Sequence, residues 1–212
     1  MTDFLPFLPG FLAAYAILVV AASSPGPAVA MLLGIAMGQG RAPALVAGMG
    51  IATGSVVLNL GTLAGVGLIL TQAAWAMAVL RVIGGAYLLW LAWGAFRKAV
   101  HPPRIDAAPV AQRSMWRHFL KGFALQVTNP KAIVFWLAIA SVGATAGGGP
   151  GVVALFVAGA FAISFGCHGA WALVLSSGPI RRAYGAARRW IEAALGAFFT
   201  LAAVKLATSG ES

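Results

Sequence analysis

Two short proline-containing segments interrupt long apolar stretches of this sequence, and they hold the side chains best suited to bind a small molecule. The first is Ser24-Pro25-Gly26-Pro27, followed by Ala28, and the second is Thr128-Asn129-Pro130-Lys131. Proline removes a backbone N–H donor and clashes with the preceding helical turn, so each segment predicts a helix break. A helix that restarts after a break presents unpaired N–H groups and a positive dipole end to an anion such as a carboxylate. Lys131 adds a full positive charge.

The composition places these segments in a membrane. Of the 212 residues, 61% are hydrophobic and 8% are charged, against roughly a quarter charged in a soluble domain. The apolar residues are spread along the whole chain, which excludes a soluble body with one anchor. Because a helical span takes about 20 residues, six spans leave short loops and no room for a catalytic domain outside the bilayer.

The sequence therefore predicts an all-α integral membrane protein with six transmembrane helices, of which the first and fourth are broken. Windows of about 19 residues place the spans at residues 5–36, 43–70, 75–96, 119–146, 150–175 and 188–207. The stretch 5–22 lacks the basic N-terminal region of a secretory signal, so we expect a retained first span.

The distribution of positive charge predicts the orientation. The chain carries 14 Lys and Arg against 4 Asp and Glu, a net charge of +10. These positive residues gather in the first, third and fifth loops, so the odd loops are expected in the cytoplasm and, with six spans, both termini outside. Five spans would place the N-terminus inside. Because the basic residues lie in loops between apolar stretches, nucleic-acid binding is not expected.

The long third loop divides the chain into two predicted halves. This cytoplasmic linker, residues 97–118, contains Pro102, Pro103 and Pro109. Repeat one covers about 1–96 and repeat two about 119–212, within a single transporter domain. Each half has three spans and begins with a broken helix, and an odd number of spans makes the halves inverted. This is the layout of secondary transporters that alternate access around a midplane site.

Four further residues within the spans are candidates for the pathway or for proton coupling: Asn59, Gln126, Trp136 and His168. Asn59 and Gln126, like Ser164, either line the pathway or bond a neighbouring helix, and a bond to a neighbouring helix is the default interpretation. Trp136, about a turn and a half after Lys131, is a candidate substrate contact. His168, with an unperturbed pKa of about 6.5, is a candidate proton carrier, and a buried neutral histidine with one hydrogen-bond partner is the ordinary alternative.

Charged residues within the spans also need an explanation, because each costs about 2.5 to 3.5 kcal/mol on insertion scales. Arg81 and Lys205 are expected to reach the head groups with their long stems. Glu192 is expected to pair with Arg188, four residues earlier. Glycines four residues apart, such as Gly50 and Gly54, predict close helix packing.

Taken in order along the chain, the motifs resemble the LysE/RhtB family of amino-acid exporters. The resemblance rests on the Pro-Gly-Pro break, the glycine-spaced segment from Gly34 to Gly54, the segment Gly85-Ala86-Tyr87-Leu88-Leu89-Trp90, and Asn129-Pro130-Lys131. It implies efflux of amino acids or related small metabolites, driven by the proton gradient, across a bacterial-type inner membrane. By this likeness the residues of the two breaks become the substrate-binding candidates.

Two departures from the family pattern narrow the expected cargo. Ala28 stands where such proteins often have a polar side chain, and Ser55 stands where some members carry an acid. No Asp or Glu lies between Asp3 and Asp106. A cationic cargo would lack a counter-charge, so we expect a neutral or zwitterionic one.

Other functional classes fit less well. A membrane-embedded transferase or hydrolase would need a nucleophile elbow, a zinc-binding helix, a phosphate loop or paired carboxylates, and the sequence has none of these. A haem-bearing structural subunit would need paired histidines within the spans, and only His168 qualifies. His101 and His118 are assigned to the basic loop without a specific role, and the single Cys167 gives no disulfide or metal cluster. We therefore expect no enzyme and no cofactor, and a homodimer is left open.

Overall fold

A computed structural model describes residues 4–72, 74–102 and 114–208. These ranges are helical and contain no strand, which confirms the all-α class. A short 3-10 helix, Leu5–Phe7, precedes the α-helices. The α-helices are α1 (Leu8–Ser23), α2 (Pro27–Gln39), α3 (Arg41–Gln72), α4 (Ala74–Val100), α5 (Met115–Thr128), α6 (Pro130–Ser141), α7 (Pro150–Val174) and α8 (Gly178–Thr208).

Both predicted helix breaks are present. The first lies between α1 and α2, where Ser24 and Gly26 have extended backbone conformations. The second is narrower, because Asn129 alone separates α5 from α6, and the two helices are bent by 62° there. Each new helix begins with a proline, whose fixed φ suits the first helical turn and whose missing N–H would have had no helical partner.

Several helices are long and apolar enough to cross a membrane. Within the described residues these are Leu5–Ser23, Arg41–Gly65 and Pro150–Val174, and α5 with α6 passes the same test as one bent pair. The described residues thus give three or four spans, which supports a multi-pass membrane protein. The six-span count and the inverted repeat stay predictions.

The helices form two compact units. The first contains α1, α2, α3 as far as residue 66, α5, α6 and α7, and the second contains α4 and α8. Each unit therefore takes helices from both halves of the chain. The predicted linker is shorter than expected at both ends, since α4 continues to Val100 and α5 begins at Met115. Pro103 and Pro109 lie outside the described residues.

Aromatic rings join α1 to α7 in the first unit. The Tyr15 ring stacks on that of Phe156 with a centroid distance of 5.3 Å, and Phe11 packs against both rings. The Tyr15 hydroxyl also donates a hydrogen bond to the Phe156 carbonyl at 3.0 Å. These contacts bury the apolar face of α1 that leads to the first break.

Glycines allow α3 and α5 to cross with their backbones in contact. A Cβ on Gly50 would overlap the Phe119 carbonyl oxygen and lie 2.9 Å from the Phe123 nitrogen. A Cβ on Gly122 would overlap the Ala47 carbonyl oxygen in the same way. A Cβ on Gly54 would lie 2.8 Å from the Gln126 Cβ and 3.1 Å from the Phe123 carbonyl oxygen. The predicted close packing is therefore confirmed for Gly50 and Gly54, whereas a Cβ on Gly34, Gly61 or Gly65 would meet no described atom within 4 Å.

The second unit holds the ion pair that the sequence predicts. Glu192 is 1% exposed, and its Oε1 lies 4.0 Å from Nε of Arg188, one helical turn earlier. This places the carboxylate beside a positive charge, as a buried acid requires. The side chains of Arg81 and Lys205 lie outside the described residues, so their predicted contact with the head groups stays a prediction.

Candidate functional site

The two helix breaks meet at one small cavity inside the first unit. Its volume is about 40 Å³. From the first break it is lined by Ser24, Gly26, Pro27 and Ala28, and from the second by Asn129 and Lys131. The polar residues Ser55, Gln126, Ser164 and His168 also line it, as do Phe135 and Trp136.

The side chain of Lys131 connects the second break to the first. Its ammonium group donates hydrogen bonds to the Ser24 backbone carbonyl at 3.0 Å and to the Ser24 hydroxyl. It also lies 6.0 Å from the centre of the Phe135 ring, within reach of a cation–π interaction. A Cβ on Gly26 would come 3.3 Å from the ammonium nitrogen, so glycine at this position leaves room for the lysine.

The two restarted helices differ at their N-termini. In α6 the Asn129 side-chain oxygen accepts a hydrogen bond from the Lys131 backbone N–H at 3.1 Å. In α2 the N-cap residue is Gly26, and no side chain caps the helix. Ala28 and Val29, in the first turn of α2, both line the cavity. Therefore the N-terminus of α2 is better placed than that of α6 to bind an anion.

A chain of hydrogen bonds, here named the polar cluster, joins α5, α3 and α7 at the cavity wall. The Gln126 amide donates to the Ser55 hydroxyl at 2.9 Å, and the Ser55 and Ser164 hydroxyls are 3.0 Å apart. His168 Nδ1 donates to the Ser164 carbonyl at 2.8 Å. Because this bond occupies Nδ1, the imidazole cannot act through that atom as a base for the Ser164 hydroxyl.

Charge within the cavity has one sign. Lys131 is its positively charged lining residue, and no carboxylate is among the described residues that line it. Leu18, Ala22, Trp136 and Ile139 form apolar parts of the wall, and Trp136 is buried. A cation surrounded by apolar groups and hydroxyls favours a ligand that brings its own negative charge.

Not every predicted site residue reaches the cavity. Pro25, Pro130, Thr128 and Asn59 are not among its lining residues. Thr128 is exposed, and its hydroxyl donates to the Ala124 carbonyl of its own helix at 2.7 Å. Asn59 is buried in α3 one turn beyond Ser55.

Sequence reasoning missed the roles of two polar residues of this unit. It treats Ser55 only as a position without an acid, whereas Ser164, a predicted pathway or helix-bonding residue, lines the cavity and bonds Ser55 of α3. The loop assignment of His118 was wrong. This residue lies in α5, is 1% exposed, and has its Nε2 2.8 Å from the Gln39 side-chain oxygen.

Removal of the Asn129 side chain should destabilise the N-terminus of α6 at the second break. Asn129→Ala leaves the Lys131 N–H without its cap, so we expect a loss of about 1 kcal/mol in the free energy of unfolding. Asn129→Ser restores most of this loss, because a serine hydroxyl also caps a helix. Unfolding followed by helical circular dichroism in detergent measures both variants. Equal stability of Asn129→Ala and the unsubstituted chain would contradict the capping role.

Known proteins resemble this chain over most of its length. Residues 19–210 match the family profile described as LysE type translocator. The "Threonine efflux protein" of Escherichia coli K12 is 32% identical over 195 residues, which cover 89% of this chain and 93% of that protein. The "Homoserine/homoserine lactone efflux protein" of Salmonella typhi is 33% identical over 119 residues, 55% of each chain. No solved structure matches. The family match includes both helix breaks.

Proposed function

Because this chain belongs to the LysE type translocator family, we propose that it exports small neutral amino acids or related metabolites and binds them in the cavity between its two helix breaks. The observation that carries this proposal is the arrangement at the cavity. One lysine ammonium and one uncapped helix N-terminus face the same space, and no carboxylate lines it among the described residues. Such a site is suited to a carboxylate.

The cargo carboxylate binds the Lys131 ammonium and the first N–H groups of α2. In the described conformation the Lys131 ammonium is bonded to the Ser24 carbonyl. When the ammonium turns to the carboxylate, that carbonyl becomes an acceptor for the α-ammonium of the cargo. Both charged groups of a neutral amino acid thus have partners, whereas the side-chain cation of a lysine-like cargo would meet no carboxylate among the described lining residues.

The polar cluster is placed to bind a hydroxyl group on the cargo side chain. Ser55 and Ser164 are hydroxyl residues, and each can donate and accept. Relatives of this chain are named for threonine efflux and for homoserine or homoserine lactone efflux. Threonine and homoserine both carry a side-chain hydroxyl, so we propose hydroxylated neutral amino acids as the preferred cargo.

Cargo entry requires a change of conformation. The cavity of about 40 Å³ is far smaller than the roughly 300 to 1,000 Å³ of sites that enclose small-molecule ligands. An amino acid therefore fits only after Lys131 and Ser24 move apart. We propose that this movement is one step of alternating access, in which two inverted halves rock around the site.

The proposed site lies near the middle of the bilayer. At 1.5 Å per residue, Ser55 and Ser164 both lie about 21 Å along their helices from Arg41 and Pro150. This distance is about half of a bilayer of roughly 40 to 45 Å including its head groups. The proposed topology is that of a multi-pass inner-membrane protein with its basic odd loops in the cytoplasm.

Coupling to the proton gradient is part of this proposal. Lys131 and His168 are the titratable side chains among the described lining residues of the cavity. Because His168 Nδ1 bonds the Ser164 carbonyl, Nε2 is the atom available to take a proton. If His168→Ala keeps the pH dependence of export unchanged, His168 has no part in coupling.

Counterflow in proteoliposomes tests the function. Vesicles containing the purified chain are loaded with unlabelled amino acid and given labelled threonine, homoserine, leucine or lysine outside, with and without a pH gradient. We expect accumulation of threonine and homoserine above protein-free vesicles and no accumulation of lysine. Transport of lysine alone would overturn the cargo class, and no counterflow with any amino acid or metabolite tested would overturn export.

A further inference from the structure

Asn59 is a buried side chain for which no described group is a hydrogen-bond partner. It lies on α3 and is 1% exposed. Within the residues that the structure describes, neither its amide nitrogen nor its amide oxygen has a partner. Burial of an unpaired polar group destabilises the folded protein, so an unpaired amide inside a membrane helix calls for a functional explanation.

The other buried polar side chains among the described residues of α3, Ser55 and Thr62, have hydrogen-bond partners. Ser55, one turn before Asn59, belongs to the polar cluster. The Thr62 hydroxyl donates to the Leu58 and Asn59 carbonyls of its own helix, at 2.9 and 3.0 Å. Asn59 therefore differs from its neighbours, because it offers two donors and an acceptor that no described group uses.

The buried side chains of α3 change from apolar to polar at Ser55, the residue of this helix that lines the cavity. Before Ser55 its buried side chains are apolar, namely Ala44, Ala47, Ile51 and Ala52. Between Ser55 and residue 65, as far as the side chains of α3 are described, the buried residues are Ser55, Asn59 and Thr62. Side chains four residues apart lie about 6 Å apart along a helix. A line of polar groups thus leads from the cavity toward the C-terminal end of α3.

We propose that Asn59 is a second cargo-binding residue on the export route, one helical turn beyond the cavity. The inference rests on the proposed function. A zwitterionic amino acid that leaves Lys131 needs partners for its carboxylate and its ammonium while it crosses the membrane interior. The Asn59 amide N–H groups donate to the cargo carboxylate, and the amide oxygen accepts from the cargo ammonium.

The polar cluster separates the two positions. Ser55 lines the cavity and Asn59 does not, so cargo passes the hydrogen bonds from Ser55 to Gln126 and Ser164 on its way. These bonds are 2.9 and 3.0 Å long and join α3, α5 and α7. As the cargo passes, the Ser55 hydroxyl exchanges these hydrogen bonds for bonds to the cargo, and the cargo then bonds the Asn59 amide. On this route Asn59 affects transport more than binding in the cavity.

The variant Asn59→Leu tests this inference. Leucine is close to asparagine in size and removes the unpaired amide, so the unfolding temperature should equal or exceed that of the unsubstituted chain. Threonine binding to the detergent-solubilised protein, measured by calorimetry, should change less than about twofold in Kd. The counterflow rate of threonine should fall at least tenfold.

Thr53→Val is the matched control. Thr53 lies on the same helix, about half a turn from Ser55, and its hydroxyl donates to the Met49 carbonyl at 3.0 Å. Like Asn59→Leu, this variant replaces one polar side chain by an apolar one of similar size, but on a different face of α3. We expect counterflow and binding to remain within about twofold of the unsubstituted chain.

The outcomes separate this inference from the proposed function. Normal counterflow in Asn59→Leu overturns the inference alone. A lower unfolding temperature of Asn59→Leu would show that the amide has a structural partner. Loss of threonine binding would show that Asn59 belongs to the binding site in the cavity. Either result overturns the proposal that Asn59 is a second cargo-binding residue beyond the cavity. If the unsubstituted chain shows no counterflow, the proposed function and the inference fail together.

Discussion

Lys131→Met should reduce threonine counterflow by up to about 100-fold while the protein still inserts and folds. Lys131 supplies the positive charge of the cavity, and methionine keeps a flexible apolar chain of similar length without it. A charge-assisted hydrogen bond is worth roughly 1.5 to 3 kcal/mol. Loss of about 3 kcal/mol of cargo binding corresponds to about 100-fold. Initial counterflow rates at a threonine concentration below half-saturation measure this effect.

The matched control is Lys121→Met. Lys121 is an exposed residue of α5 and does not line the cavity, so its removal should leave the counterflow rate within about twofold. Circular dichroism and gel filtration in detergent establish that both variants are folded. A folded Lys131→Met protein with normal threonine counterflow would remove the carboxylate site from the mechanism.

Gly122→Ala should prevent the first unit from forming its close helix crossing. A Cβ at this position would overlap the Ala47 carbonyl oxygen and lie 3.2 Å from the Ile51 nitrogen. These atoms belong to the backbone of α3, so the two helices can relieve the overlap only by moving apart. Overpacking of this kind costs about 1 to 3 kcal/mol and more when backbone must shift. We expect little monodisperse protein on gel filtration and a much lower unfolding temperature.

The controls for this effect are glycines of the same unit with open space beside them. At Gly34 and Gly61 a Cβ would meet no described atom within 4 Å. Alanine there relieves the conformational entropy cost of a glycine in a helix, roughly 0.5 to 1 kcal/mol. We expect Gly34→Ala and Gly61→Ala to be at least as stable as the unsubstituted chain. Similar stability for Gly122→Ala would contradict the close crossing.

The two helix breaks have different roles in this picture. At the second break Asn129 caps α6 and Lys131 carries the charge, so this break holds a positive group in position. At the first break Gly26 leaves α2 uncapped and leaves space for the lysine. In the proposed mechanism the first break supplies backbone donors and the second supplies the cation. A carboxylate between them has partners on both sides.

The sequence alone determined the membrane environment, the helices and the positions of both breaks. Hydropathy over about 20 residues and the missing N–H of proline are local properties, so they act in the same way whatever the rest of the chain does. The motif order was also sufficient to identify the family resemblance, which the match over residues 19–210 confirms. The Arg188–Glu192 pair could be predicted because it lies within one helix.

Only the tertiary structure decided which of these residues share a site. The contact of Lys131 with Ser24 spans 107 positions, and that of Ser55 with Ser164 spans 109. The sequence could not distinguish the capped helix α6 from the uncapped helix α2 as an anion site, nor show that His118 is buried against Gln39. Nor could it show that Asn59 lacks a partner among the described residues. Contacts between distant positions depend on how helices cross, and that depends on side-chain volumes along both helices at once.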